Sequence, residues 1–142
     1  MTKWAAVALT LATLTVAAPA SAAQIEVTAR QVHRNVAQLP PPGRGGNAES
    51  ALWLVRDRHG NAIGDMLIDC RWVTAGLRLC VGQVSLPLGA IALVGATRTR
   101  FLGQLAVVGG TGRYVGASGT LLFTATGTGR YVLSITYGTQ PT

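Results

Sequence analysis

The chain has 142 residues, 49% of them hydrophobic and only 12% charged, with a formal charge of +7. That balance comes from arginines placed singly or in pairs, without a dense or aromatic-interleaved run. It describes a solvated basic surface rather than a nucleic-acid tract, and it suits weak adhesion to anionic cell-surface polymers. His33 and His59 are isolated, and no Cys, His and acid grouping has metal-ligand spacing, so neither a metal nor another cofactor is expected.

Residues 1–23 read as an export signal: Lys3 supplies the positive end, an apolar run covers residues 5–18, and Ala20, Ser21 and Ala22 offer small side chains at a cleavage site. The run is too short to span a bilayer comfortably. Cleavage beside Ala23 would release one domain, residues 24–142, to the exterior or the cell envelope, with no stable membrane insertion. Its only cations are then arginines. The arginine-only basic set and the alanine- and glycine-rich composition suggest a bacterial source. A chain of that size buries roughly two-thirds of its unfolded surface, enough to fold without a metal.

In the mature chain residues 24–36 alternate as a strand, with Ile25, Val27 and Ala29 on one face and Glu26, Thr28 and Arg30 on the other. Residues 39–46, rich in proline and glycine, break regular structure and read as a connection. Residues 51–56 form a second strand, leading into the hairpin chemistry of Asp57, His59, Gly60 and Asn61. Further strands are expected over 62–72, 77–86, 90–97, 101–108, 117–126 and 130–137. There is no convincing helix. About eight short strands separated by glycine turns point to a closed barrel or a sandwich, and closure disposes of exposed edges.

The most informative stretch is residues 105–123, LAVVGGTGRYVGASGTLLF. Two apolar runs meet at a glycine-dense corner, with Gly109, Gly110, Gly112 and Gly116 as its structural turn residues. A dinucleotide loop is excluded: G-x-G-x-x-G begun at Gly110 reaches Gly112 but then meets Val115, and residues 118–123 have no helical period. Without a helix N-terminus there is nothing to receive a pyrophosphate. No nucleophile elbow flanks any serine.

Cys70 and Cys80 fall on adjacent expected strands of an exported chain, so a disulfide is the first expectation. Closing a loop of that length contributes roughly 3 kcal/mol in the chain-entropy treatment. The acids are Glu26, Glu49, Asp57, Asp65 and Asp69. Asp57 ends a strand at a hairpin, where aspartate commonly caps the turn. Asp65 and Asp69 share a face with Ile63 and Leu67. Turned into an apolar barrel, such an acid has a raised pKa and can act as a general acid; turned outward, it is a solvated carboxylate. A shift of one residue in register decides between the two.

The segment AVVGGTGRYVGASG resembles the signature shared by plant dirigent proteins and allene oxide cyclases, a strand, a GG(T/S)G corner, an aromatic residue and a G-A-R-G-like turn. LWLVRDRHGNAIGDMLIDC, LPLGAIALVGATR and GRYVLSITY are compatible with other strands of that family. The resemblance implies an eight-stranded antiparallel β-barrel, usually trimeric. It makes Asp57 the closest match to an acid thought to protonate a quinone methide, places Arg113 and Tyr114 in the loop or pocket region, and opens a reactive-thiol alternative for Cys70. Ser118 stands where the family has an arginine near its pocket, which argues against carrying dirigent chemistry over intact. The expected function is therefore a secreted barrel that binds a small hydrophobic or phenolic molecule. A cyclase or dirigent-type auxiliary with Asp57 or Asp65 as its acid is the first alternative. A non-catalytic envelope protein filled by its own side chains is the second.

Overall fold

A computed structural model describes residues 22–37, 48–74, 76–98 and 103–139. All but the end of the expected signal, and the whole proline-glycine connection at 39–46, lie outside the described residues. Eight strands form one closed antiparallel barrel in sequence order: β1 (Ala23–Ala37), β2 (Ala48–Arg56), β3 (Ala62–Thr74), β4 (Leu77–Leu86), β5 (Gly89–Thr97), β6 (Gln104–Gly110), β7 (Ala117–Gly127) and β8 (Arg130–Thr139), with β8 pairing back onto β1. The only helical element among the described residues is one 3-10 turn, Gly112–Tyr114, inside the glycine corner. Among the described residues no helix is long and apolar enough to cross a membrane.

Strand identity follows from composition. The interior is built from β-branched and long aliphatic side chains at every second position, and Met66, Ile68, Ile91, Leu121, Leu133 and Ile135 are essentially shut off from solvent. Each such side chain contributes about 1.5–3 kcal/mol relative to an exposed one. On β3 the inward set is Met66, Ile68 and Cys70, so the alternating Asp65 and Asp69 stand on the outer face, both exposed. The Ser50 hydroxyl donates to Asp69. Register therefore makes these two acids solvated carboxylates and not interior ones.

Two boundaries differ from the sequence expectation with consequences, and one strand carries a register shift. β2 begins at Ala48, three residues earlier than its apolar run, because the ladder continues through Glu49 opposite Cys70. β6 is displaced toward the corner, to Gln104–Gly110, while residues 99–102 lie outside the described set. In β1 the register shifts between Gln31 and His33. The extra residue, Val32, is a bulge that restores the inward direction for Arg34, which pairs with the inward-facing Ala51.

An up-and-down barrel sends successive connections to alternate ends. The glycine corner closes the end shared by the β2–β3, β4–β5 and β6–β7 turns. There the Thr111 amide donates to Ala90 O at 2.8 Å, the Ala90 amide donates to Thr111 Oγ1 at 3.0 Å, and the Arg113 amide donates to Leu88 O at 2.9 Å. Tyr114 is buried beneath this latch, edge-on to Tyr137 with centroids 5.5 Å apart, and burial pushes its phenol pKa up. The opposite end carries the β1–β2, β3–β4, β5–β6 and β7–β8 connections.

Candidate functional site

Cys70 and Cys80 are directly opposite each other in the β3–β4 ladder, with sulfurs at the bonding distance of 2.07 Å and no free cysteine remaining. Cys70 shares its face with Met66 and Ile68, so the bridge lies inside the barrel. Alternation along β4 then sends Arg78, two residues before Cys80, inward as well. It does so although the other face of β4 carries Leu79 and Val81, which are left 52% and 56% exposed on the outside. An arginine thus faces inward at this end of the barrel, only 2% exposed and opposite the buried Thr97 of β5.

Its partner is Glu49, brought in by the extended start of β2. Arg78 Nη1 donates to Glu49 Oε2 at 3.3 Å, and Arg34 Nε donates to Glu49 Oε1 at 2.8 Å. The carboxylate is thereby spanned by two guanidinium groups. Burial lowers the pKa of Arg78, while the hydrogen bond to Glu49 and its charge raise that of Arg34. The Arg78 guanidinium lies over the Trp72 ring, 5.5 Å from its centroid. Phe123 and Tyr131 meet edge-on at 6.2 Å. Arg78 Nε and Nη2 are buried with no hydrogen-bond partner, as is the indole Nε1 of Trp53 elsewhere in the interior. Buried donors are nearly always paired, so the two unpaired ones on Arg78 mark a place built for something further.

The residues that the sequence singled out lie elsewhere. Asp57 sits in the β2–β3 turn at the corner end. Its Oδ1 accepts from the amides of His59 at 2.8 Å and Asn61 at 2.9 Å, and its Oδ2 accepts from Asn61 Nδ2 at 3.0 Å. The Asn61 bonds, side chain first, hold its carboxyl below the ordinary range. This is turn-capping geometry. A carboxyl whose folded-state pKa is depressed stabilises the protein above the unfolded value near pH 4 and ceases to do so as pH falls through the folded one. Asp57→Ala is accordingly expected to lower the urea midpoint at neutral pH, with the gap to wild type closing below about pH 4. A gap of constant size in acid would mean that the ionised cap does not matter.

Arg113 is exposed in the corner, and Tyr114 packs under it in the core, so neither approaches Arg78 at the other end. Among the described residues no three His, Cys, Asp or Glu side chains form a metal-holding group. The Arg34, Glu49 and Arg78 cluster was hidden from sequence reading because Leu77, Leu79 and Val81 make the opposite face of β4 look like the buried one. The available signal was indirect: Asp65 and Asp69 turn Cys70 inward, a cross-strand bridge turns Cys80 the same way, and alternation then carries Arg78 inside.

The fold and this site together define a class, the small closed eight-stranded barrel with a polar cluster in one end of its interior. Solved structures with the same barrel include a pyocyanin demethylase, with a TM-score of 0.74 at 17% identity over 82% of this chain and 100% of that one. The Diels-Alderase AbmU from Streptomyces koyangensis matches with a TM-score of 0.70 at 18% identity, over 84% of this chain and 65% of that one. AbnU, an exo-specific intermolecular Diels-Alderase, matches with a TM-score of 0.63 at 14% identity over 83% of this chain and 99% of that one. At these identities the likeness is one of fold. No protein-family model and no curated protein matches the chain.

Proposed function

We propose that this protein is an exported barrel of the allene oxide cyclase and dirigent-like type that binds a small hydrophobic or phenolic molecule at its Arg78 end. The observation that carries the reading is the buried guanidinium with two unpaired N–H donors, set beside Trp72 and Glu49 in an apolar interior. Ligand sites in small barrels combine that kind of apolar wall with a few placed polar groups. Neighbours of the same fold are named for acting on small molecules, which supports the reading at the level of fold. Export with cleavage near Ala23 accords with the Cys70–Cys80 bridge, which an oxidising compartment would preserve. Trimerisation, as the family resemblance implies, is supported by the outer face, where Val81 and Val94 stand opposite each other, both exposed.

The test is a titration of the mature protein with phenolics and fatty-acid epoxides, monitored by tryptophan fluorescence and calorimetry. Saturable binding that perturbs tryptophan emission is expected, because Trp72 lies against the site. If no compound in the panel binds, the envelope reading stands instead, and the continuous core of side chains through the middle of the barrel is the observation that favours it. A cyclase reading would draw on Glu49, the one acid on the inner face beside the site, in place of Asp57 or Asp65.

A further inference from the structure

We infer that the molecule bound at this end presents a carboxylate, held side-on by Nε and Nη2 of Arg78. The inference rests on the small-molecule-binding reading and specifies its ligand class. Arg78 spends Nη1 on Glu49 at 3.3 Å, and the two nitrogens left without partners are the two on the opposite, side-on edge of the planar group. Their N–H bonds run parallel at the spacing of a carboxylate's two oxygens, which makes this edge a fork for bidentate binding. An alcohol, phenol or ketone offers a single oxygen, which meets both N–H groups only through bent, shared hydrogen bonds and brings no negative charge.

Charge leads to the same class. Glu49 is shared: one oxygen takes Arg34, whose side chain is 55% exposed at the barrel end, and the other takes the buried Arg78 at 3.3 Å, so Arg78 is only partly neutralised and a monoanion at its free edge would complete it. Burial already lowers the pKa of Arg78, as an incompletely compensated cation requires. Asp65 and Asp69 cannot supply the missing anion from the chain itself, since β3 directs them outward. Trp72, partly exposed at the end of β3 and lying over the guanidinium, is the side chain that a ligand's apolar body would pass and pack against. The expected ligand is therefore an aryl or acyl carboxylic acid.

Matched pairs of probes separate this inference from the reading beneath it. Calorimetry with cinnamic acid against cinnamyl alcohol, and with octanoate against octanol, is expected to give about tenfold or greater preference for each acid in the wild-type protein. The preference should shrink as pH falls below the ligand's own carboxyl pKa, with the alcohol unaffected. Arg78→Met should bring acid and alcohol to within about twofold of each other by weakening the acid alone, and Arg78→Lys, which keeps charge but loses the fork, should fall between. Acid and alcohol binding equally well to wild type would overturn the carboxylate and leave small-molecule binding intact. Absence of binding by every member of both pairs would overturn the two together. Should Arg78→Met lose its near-ultraviolet circular dichroism, the wild-type ratio and its pH dependence decide the matter without it.

Discussion

Replacing Glu49 with leucine is expected to destabilise the barrel by about 3–5 kcal/mol, more than replacing Arg78 with methionine, although both changes break the same ion pair. The asymmetry comes from what each leaves behind. Without Glu49, Arg78 remains at 2% exposure with its last acceptor gone, an uncompensated cation in an apolar interior. Without Arg78, Glu49 retains the 2.8 Å bond from Arg34 and some exposure to solvent, and methionine fills much of the vacated volume, so a loss of about 1–2 kcal/mol is expected. The double variant should lose less than the two single losses added, by about 1–3 kcal/mol, because the stranded charge of the Glu49 variant no longer exists in it. Urea denaturation of the four proteins measures all of this. Equal single losses would show that Arg78 finds another acceptor when Glu49 is removed.

Gly112→Ala should cost about 3 kcal/mol or more, whereas Gly116→Ala, four residues along the same corner, should cost only about 1–2 kcal/mol. Both glycines adopt left-handed backbone, with φ of +58° and +70°, so each alanine pays the same conformational penalty. They differ in surroundings. A Cβ on Gly112 would lie 2.3 Å from Leu88 O, the carbonyl that accepts the Arg113 amide, while a Cβ on Gly116 meets nothing within 4 Å. Relief of the Gly112 collision requires the β4–β5 turn to move off the corner, which uncovers Tyr114. Thermal denaturation, with hydrogen exchange at the Thr111 and Arg113 amides reporting the latch, checks both parts. Similar losses at the two positions would mean that the latch against Leu88 contributes little.

The strands were legible because each depends on neighbours close in the chain. Alternating apolar residues, the Asp57-to-Asn61 hairpin and the glycine corner each specify local backbone, and short turns between successive strands leave antiparallel neighbours as the natural pairing. The disulfide was legible for the same reason, since a hairpin brings Cys70 and Cys80 face to face. On β3 the reluctance of Asp65 and Asp69 to be buried leaned toward Met66 and Ile68 as the inner set, but the register that fixes it came from the ladder.

The tertiary structure decided which face of β4 is inside, for which the sequence held only the indirect signal from β3. Its apolar pattern favours Leu79 and Val81, but pairing with β3 through the bridge turns Arg78 inward and leaves those two in solvent. The bulge at Val32, which aims Arg34 at Glu49, and the extra residues that carry Glu49 into β2 are likewise set by the ladder between strands. Side-chain direction in a sheet has a period of two, so hydrophobicity chooses a face clearly only where the two faces differ. In β2, with Leu52 and Leu54 on one side and Trp53 and Val55 on the other, they do not. The sequence by itself therefore determined about eight short strands in a barrel or sandwich, which the family resemblance narrowed to an antiparallel barrel, and closure of that barrel decided that its buried charge is Arg78 paired with Glu49.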